Sequence, residues 1–355
     1  MAAMMKTKSA SSEQAVAIAA MFLALTVAAL PAFAQTASVP GAVLGMESFA
    51  HVVQDLEKSI PFYRDVLGLE VAQPLTTFTT IPWVNAVGDT PGAQIRIANF
   101  RFPGSPLIFE LVEYKDIDRK PPVKPRYQDP GVTTLVLYVR DMDEMIAKIK
   151  KTNAKIITVG GKPSTSKFGN DTVSDLFIQD PDGFYIGLSL HSPLPATAAP
   201  ASSNVLGESL EFVVGDMDRT LRIYKDILGF AFPRSSPFIF MEAINEGGNT
   251  PGARIRTTNG PIPGRSDPIF GALRYMEYKD INRTPLRTRL QDPGTTVVRL
   301  SVRDLAATVK DLQGADVSIN TKGAEPVTMG SSHYLMFRDS NNMYVDLVQH
   351  DSKAQ

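Results

Sequence analysis

The stretch DLEKSIPFYRDVLG, Asp55 to Gly68, returns 161 residues later as DMDRTLRIYKDILG, Asp216 to Gly229. In the first copy an aspartate opens the stretch, Leu56, Ile60, Tyr63 and Leu67 follow at helical spacing, and a glycine closes it. An aspartate side chain accepts the free amides of a first turn, and glycine tolerates the left-handed backbone just past a last one. The pattern predicts a short amphipathic helix with both ends marked. Upstream, Phe49, His51 and Val53 alternate as a strand running into Asp55.

Working outward, the recurrence continues. Thr90-Pro-Gly-Ala93 returns as Thr250-Pro-Gly-Ala253, Glu113-Tyr-Lys-Asp-Ile-Asp-Arg119 as Glu277-Tyr-Lys-Asp-Ile-Asn-Arg283, and Gln128-Asp-Pro-Gly131 as Gln291-Asp-Pro-Gly294. Offsets stay between 159 and 164 residues, so the copies are collinear. A Pro/Ala/Ser stretch lies between them and reads as a linker. The expected organisation is one domain over 46–193, a linker over 194–204 and a second domain over 205–352. Within each copy the theme restarts. Strand Thr134–Val139 meets Asp141 and a helix bearing Met142, Ile146 and Ile149, and Asp180-Pro-Asp-Gly183 turns between the last two strands. In the second copy Val297–Val302 meets Asp304 in the same way. Each domain therefore reads as βαβββ twice, an α+β architecture with helices outside curved sheets.

Composition bounds the function. The 355 residues carry 36 Lys plus Arg against 37 Asp plus Glu, a net charge of −1, which provides no field for a polyanion and argues against nucleic acid as a partner. The chain has no cysteine, which removes disulfides, thiolate metal sites and cysteine nucleophiles. Residues 1–34 have the layout of a signal peptide: Lys6 and Lys8, an apolar run from Ala15 to Leu30, then Ala32-Phe33-Ala34. The run is short for a membrane helix, so the expectation is a periplasmic or secreted protein without stable membrane insertion.

The βαβββ layout, the helix motif after the first strand and the DPDGFYI motif before the last (Asp180 to Ile186) resemble the vicinal oxygen chelate superfamily of glyoxalases, bleomycin resistance proteins and extradiol dioxygenases. The resemblance covers nearly all of the chain after residue 45, once per domain. It implies two βαβββ units per domain, forming an open barrel around a cleft. It further implies a metal held by His, Glu or Gln from the first, fourth, fifth and eighth strands. Carried over by position, those sites hold Ser48, Glu110, Thr134 and Gly187 in one copy, and Ser209, Arg274, Val297 and Asp346 in the other. A first-row metal normally takes three or four N, O or S ligands. No metal or other cofactor is therefore expected, with His51 and Glu110 as the fallback pair should a divalent ion bind.

Strand parity lists the groups expected in each cleft. The first domain offers Ser48, Ala50, Glu110, Val112, Thr134, Val136, Gly187 and Ser189, with Glu110 the candidate general base. The second offers Ser209, Glu211, Arg274, Arg299 and Asp346, read either as a plugging ion network or as a carboxylate or phosphate site built on the arginines. His51 should pack beneath the helix, while His191 and His350 sit just past the last strands. The repeated Gln-Asp-Pro-Gly segments read as structural turns with a place at a pseudo-twofold contact. The expected function is binding of a small organic molecule; the alternative is a lyase, isomerase or dioxygenase with an altered metal site. Pairing of two chains is left open.

Overall fold

The computed structural model describes residues 43–265, 270–315 and 317–351. The signal-like segment 1–34 lies outside them.

Four units follow one another. The first holds β1 (Val43–Val52), α1 (Leu56–Pro61, continued by a π-helical turn over Phe62–Val66), β2 (Glu70–Val71), α2 (Pro82–Gly88), β3 (Gln94–Arg101) and β4 (Ile108–Lys115). The second holds β5 (Thr133–Val139), α3 (Met142–Ile149), β6 (Lys155–Ile156), β7 (Ser164–Phe168), β8 (Asp171–Gln179) and β9 (Tyr185–Ser192). The third holds β10 (Val205–Val213), α4 (Met217–Leu221, continued by a π-helical turn over Arg222–Ile227), β11 (Ile239–Phe240), α5 (Glu242–Gly248), β12 (Arg254–Pro261) and β13 (Ala272–Lys279). The fourth holds β14 (Thr296–Val302), α6 (Leu305–Gln313), β15 (Ser318–Ile319), β16 (Val327–Met329), β17 (Ser332–Arg338) and β18 (Tyr344–His350).

The local signals act as read. Asp55, Asp141, Asp216 and Asp304 each accept a first-turn amide of the helix they precede. Gly68 takes a φ of 78°, the left-handed geometry that only glycine adopts freely. In the Asp180–Gly183 turn, Asp180 Oδ1 accepts from the amides of Asp182 and Phe184.

The α+β class and the tandem repeat stand. The partnering of units differs from the expected one. One nine-stranded sheet runs β15-β17-β18-β14-β1-β4-β3-β2 with β16 on β17, and the other runs β11-β12-β13-β10-β5-β9-β8-β6 with β7 on β8. The first sheet thus joins unit one to unit four through antiparallel β1 and β14, and the second joins unit two to unit three through β5 and β10. The two units of a repeat instead meet through their helices. The turn after α1 packs on α3, and the turn after α4 on α6. One apolar core holds these helices against Phe49, Phe109 and Leu111 of the first sheet and Leu135, Leu210 and Phe212 of the second. With their helical faces buried on each other, the units of a repeat present their strand edges outward, and each edge finds its partner in the other repeat.

The repeated turns lock that exchange, as the pseudo-twofold reading expected. Asp129 accepts from the amide of Thr284 at 2.7 Å, and Asp292 from the amide of Lys120 at 2.8 Å, one bond in each direction. Arg96 and Arg256 are structural too: each donates to the carboxylate (Glu113, Glu277) that also accepts the first amide of α1 or α4.

Candidate functional site

Regrouping the units splits the four charges expected in the second domain. Arg299 and Asp346 lie side by side on β14 and β18 of the first sheet, next to Ser48 on β1. Arg299 Nε donates to Asp346 Oδ2 at 2.8 Å, and Nη1 lies 3.6 Å from Glu110 Oε1 on β4. The Asp346 side chain is 2% exposed. Burial raises its carboxyl above the usual range, against the pull of Arg299. Burial opposes the charge of Arg299 in turn, but Asp346 and Glu110 outweigh it and hold the guanidinium above its ordinary value. The ring of Trp83 stands 4.7 Å from that of Tyr334, which flanks Arg299. Ala50, Val52, Val112, Met336 and Val348 pack around them. Glu110, the candidate base, is the third member of an ion triad.

Glu211 and Arg274 belong to the second sheet, paired in register on β10 and β13. Arg274 Nη1 donates to Glu211 Oε1, and the Tyr127 hydroxyl donates to Glu211 Oε2 at 3.0 Å. Ser209 Oγ lies 3.4 Å from the Tyr138 hydroxyl. Thr134 is fully buried on β5, its repeat-one partners Ser48 and Glu110 being in the other sheet. Above Arg274 opens a cavity of about 170 Å³. Val136, Phe177, Met241 and Met276 give it apolar walls; Asp175, Ser189, His191 and Asn259 add polar groups. Asp175 on β8 faces Ser189 on β9, and His191 follows two residues on. Burial pushes the Asp175 carboxyl up to about 6, with the Ser189 hydroxyl pulling the other way. Burial, and then the charge of Arg274, lower His191 below the ordinary imidazole value. Its ring meets Tyr138 edge-on at 5.3 Å.

Sequence reasoning thus missed Tyr127, Tyr138, Asp175 and His191. For His191 a signal existed. It continues the parity of Gly187 and Ser189, and β9 runs through it instead of ending before it. His51 packs where expected, fully buried and stacked on Phe184 at 4.2 Å, on the face opposite Glu110. Its Nε2 lies 3.6 Å from Asp180. His350 bonds Glu47 and Ser332, and His333 bonds Thr328 and Asp351, at the edge of the first sheet.

The model of the glyoxalase/bleomycin resistance protein/dioxygenase superfamily matches residues 45–188 and again 208–347. The chain belongs to this superfamily. A 2-epi-5-epi-valiolone epimerase from Actinomyces is 33% identical over 106 residues, which are 30% of this chain and 56% of that protein. The chain thus spans about half the length of this curated relative. Glyoxalase I from Zea mays superposes with a TM-score of 0.55 at 17% identity, over 87% of this chain and 92% of the maize one. A putative dioxygenase from Bacillus subtilis gives 0.53 at 13% identity, over 88% and 86%. Likeness at this distance shows the fold alone.

In this superfamily member the strands from which a metal would be held carry arginines among their carboxylates. Among the described residues no three His, Asp or Glu side chains come together as a metal site. Glu110 and Asp346 flank one guanidinium, and Glu211 holds another. A cation brought to either cluster would meet a fixed positive charge within a few ångströms of its donors. His51, the fallback ligand, lies on the face of the first sheet opposite Glu110. In both clusters the carboxylates are already paired with a guanidinium.

Proposed function

We propose that this protein binds a small organic molecule in the cavity of the second sheet, without a metal, outside the cytoplasm. The observation that carries the reading is the cavity itself, where apolar walls and a few polar groups converge above Arg274. The first sheet offers no comparable argument, because Arg299 is already held between Asp346 and Glu110. The signal-like segment at residues 1–34 supports export.

A second reading, an isomerase of the same superfamily, draws on one observation. Asp175, with its carboxyl near 6, is a base of useful strength facing the ligand space. The epimerase relative is in keeping with it. Deuterium uptake from solvent into a bound ligand separates the readings, since binding alone leaves carbon-bound hydrogens in place.

Binding is tested by ligand-observed NMR on the dialysed protein. Hits should compete with one another. A hit at about 100 times its Kd should stabilise the fold by about 2.7 kcal/mol. Ala243→Trp, which fills the cavity from α5, should abolish both effects. Hits that bind this variant as well as the parent overturn the assignment. One equivalent of Fe, Mn, Zn or Ni retained per chain overturns the metal-free reading.

A further inference from the structure

Three formal charges reach the cavity, and they do not balance. Glu211 is satisfied by Arg274 and Tyr127. Asp175 has no Lys, Arg or His partner within ion-pair distance among the described residues. Its neighbours are Ser189 across the strand pair, Arg274 and Glu211 at longer range, and His191, which burial and Arg274 keep neutral at pH 7. The lining therefore carries one surplus negative charge. Tyr127, Tyr138 and Phe177 turn aromatic surface toward the same space, which favours a cation further. Arg274, by contrast, gives Nη1 to Glu211 while its side chain is 39% exposed, so the open edge of its guanidinium still has donors to offer the cavity. An occupant that supplies an oxygen acceptor to that edge is therefore preferred.

We propose that the occupant is a small primary amine that also bears a hydroxyl oxygen, with its ammonium against Asp175 and its oxygen on the open edge of the Arg274 guanidinium. The proposal rests on the binding reading above and names its ligand class. It departs from the carboxylate or phosphate alternative, because a guanidinium that would receive an anion is already paired with Glu211 and two carboxylates stand by it. About 170 Å³ compares with the roughly 150 Å³ of a cavity known to hold benzene, which suits a single small ring.

The test uses three probes of similar shape on the full protein: trans-2-aminocyclohexanol, trans-cyclohexane-1,2-diol and trans-2-hydroxycyclohexanecarboxylate. Near pH 7.5, titration calorimetry should show the amine binding roughly fivefold or more tightly than the diol, with no binding of the acid. Asp175→Asn should bring the amine down to the diol, and saturable binding of the diol to the variant shows that its cavity is intact. Near pH 5 the unmodified protein should lose the preference in the same way, since protonation of Asp175 removes the surplus charge. A diol that binds as tightly as the amine, an acid that binds best, or an amine preference that survives Asp175→Asn overturns the ligand class and leaves the cavity reading standing. Failure of all three probes to bind saturably overturns both.

Discussion

Arg299→Met is expected to lower the stability of the folded protein by about 3–5 kcal/mol at neutral pH, the usual cost of removing one partner from a buried ion pair. The reason lies with what remains. Asp346 is 2% exposed and already has one oxygen, Oδ1, without a partner, so Arg299 is its sole counter-charge among the ion pairs of the described residues. Glu110 sits across the same guanidinium, and without it two carboxylates face each other in an apolar surround. Acid should relieve the loss. Burial holds the folded-state carboxyl of Asp346 above its unfolded value, so between the two values the folded chain binds more protons and stability falls as pH rises. Removing Arg299 widens that interval. The deficit should therefore be full at pH 7 and shrink toward pH 4. Adding Asp346→Asn to the variant should recover much of it at neutral pH. Chemical denaturation at several pH values reads these outcomes. An Arg299→Met deficit independent of pH, or unchanged by the second substitution, would sink the account.

That triad also marks where sequence reading stops. Asp55, Asp141, Asp216 and Asp304 announced their helices because capping is a contact within three residues. The parity of Ser48, Glu110, Ser209, Glu211, Arg274, Arg299 and Asp346 was legible for a related reason, since a strand's alternation is local. Which strand lies beside which is not local. β1 and β10 carry the same pattern, as do β5 and β14, and nothing within a strand says which copy of its partner it meets. Parity alone therefore puts Glu110 in a cleft with Thr134, and Glu211 and Arg274 in one with Arg299 and Asp346; long-range pairing separates both sets. Tyr127 was hidden for another reason. It reaches Glu211 from a loop, and loops have no period to read. Asp175 stands among Asp171, Val173 and Phe177 on a strand of mixed polarity, so neither face was marked as the inner one.

The exchange of units leads to the second large effect. A chain cut to residues 46–193 should not persist as a monomer, although the repeat makes it look like a domain. Its β1 and β5 would each lose the strand that covers them, β14 and β10, and every residue of β5 is buried in the intact fold. Two bare apolar edges invite pairing with another chain. A closed solution is available, because β5 is the repeat counterpart of β14, and β1 of β10. A second copy can thus lay its β5 on the first copy's β1 and reciprocally, an isologous dimer with two seams. Mixing 46–193 with 205–352 should do better, restoring the Asp129–Thr284 and Asp292–Lys120 bonds, the Arg299 triad and the Tyr127–Glu211 bond above the cavity. Sedimentation velocity should find a dimer or aggregate for 46–193 alone and a 1:1 complex for the mixture. Leu135→Lys on the β5 seam should weaken both. A piece 46–193 that sediments as a monomer and unfolds cooperatively would show that each repeat closes its own sheet, and the assignment of Arg299 and Arg274 to separate clefts would fall with it.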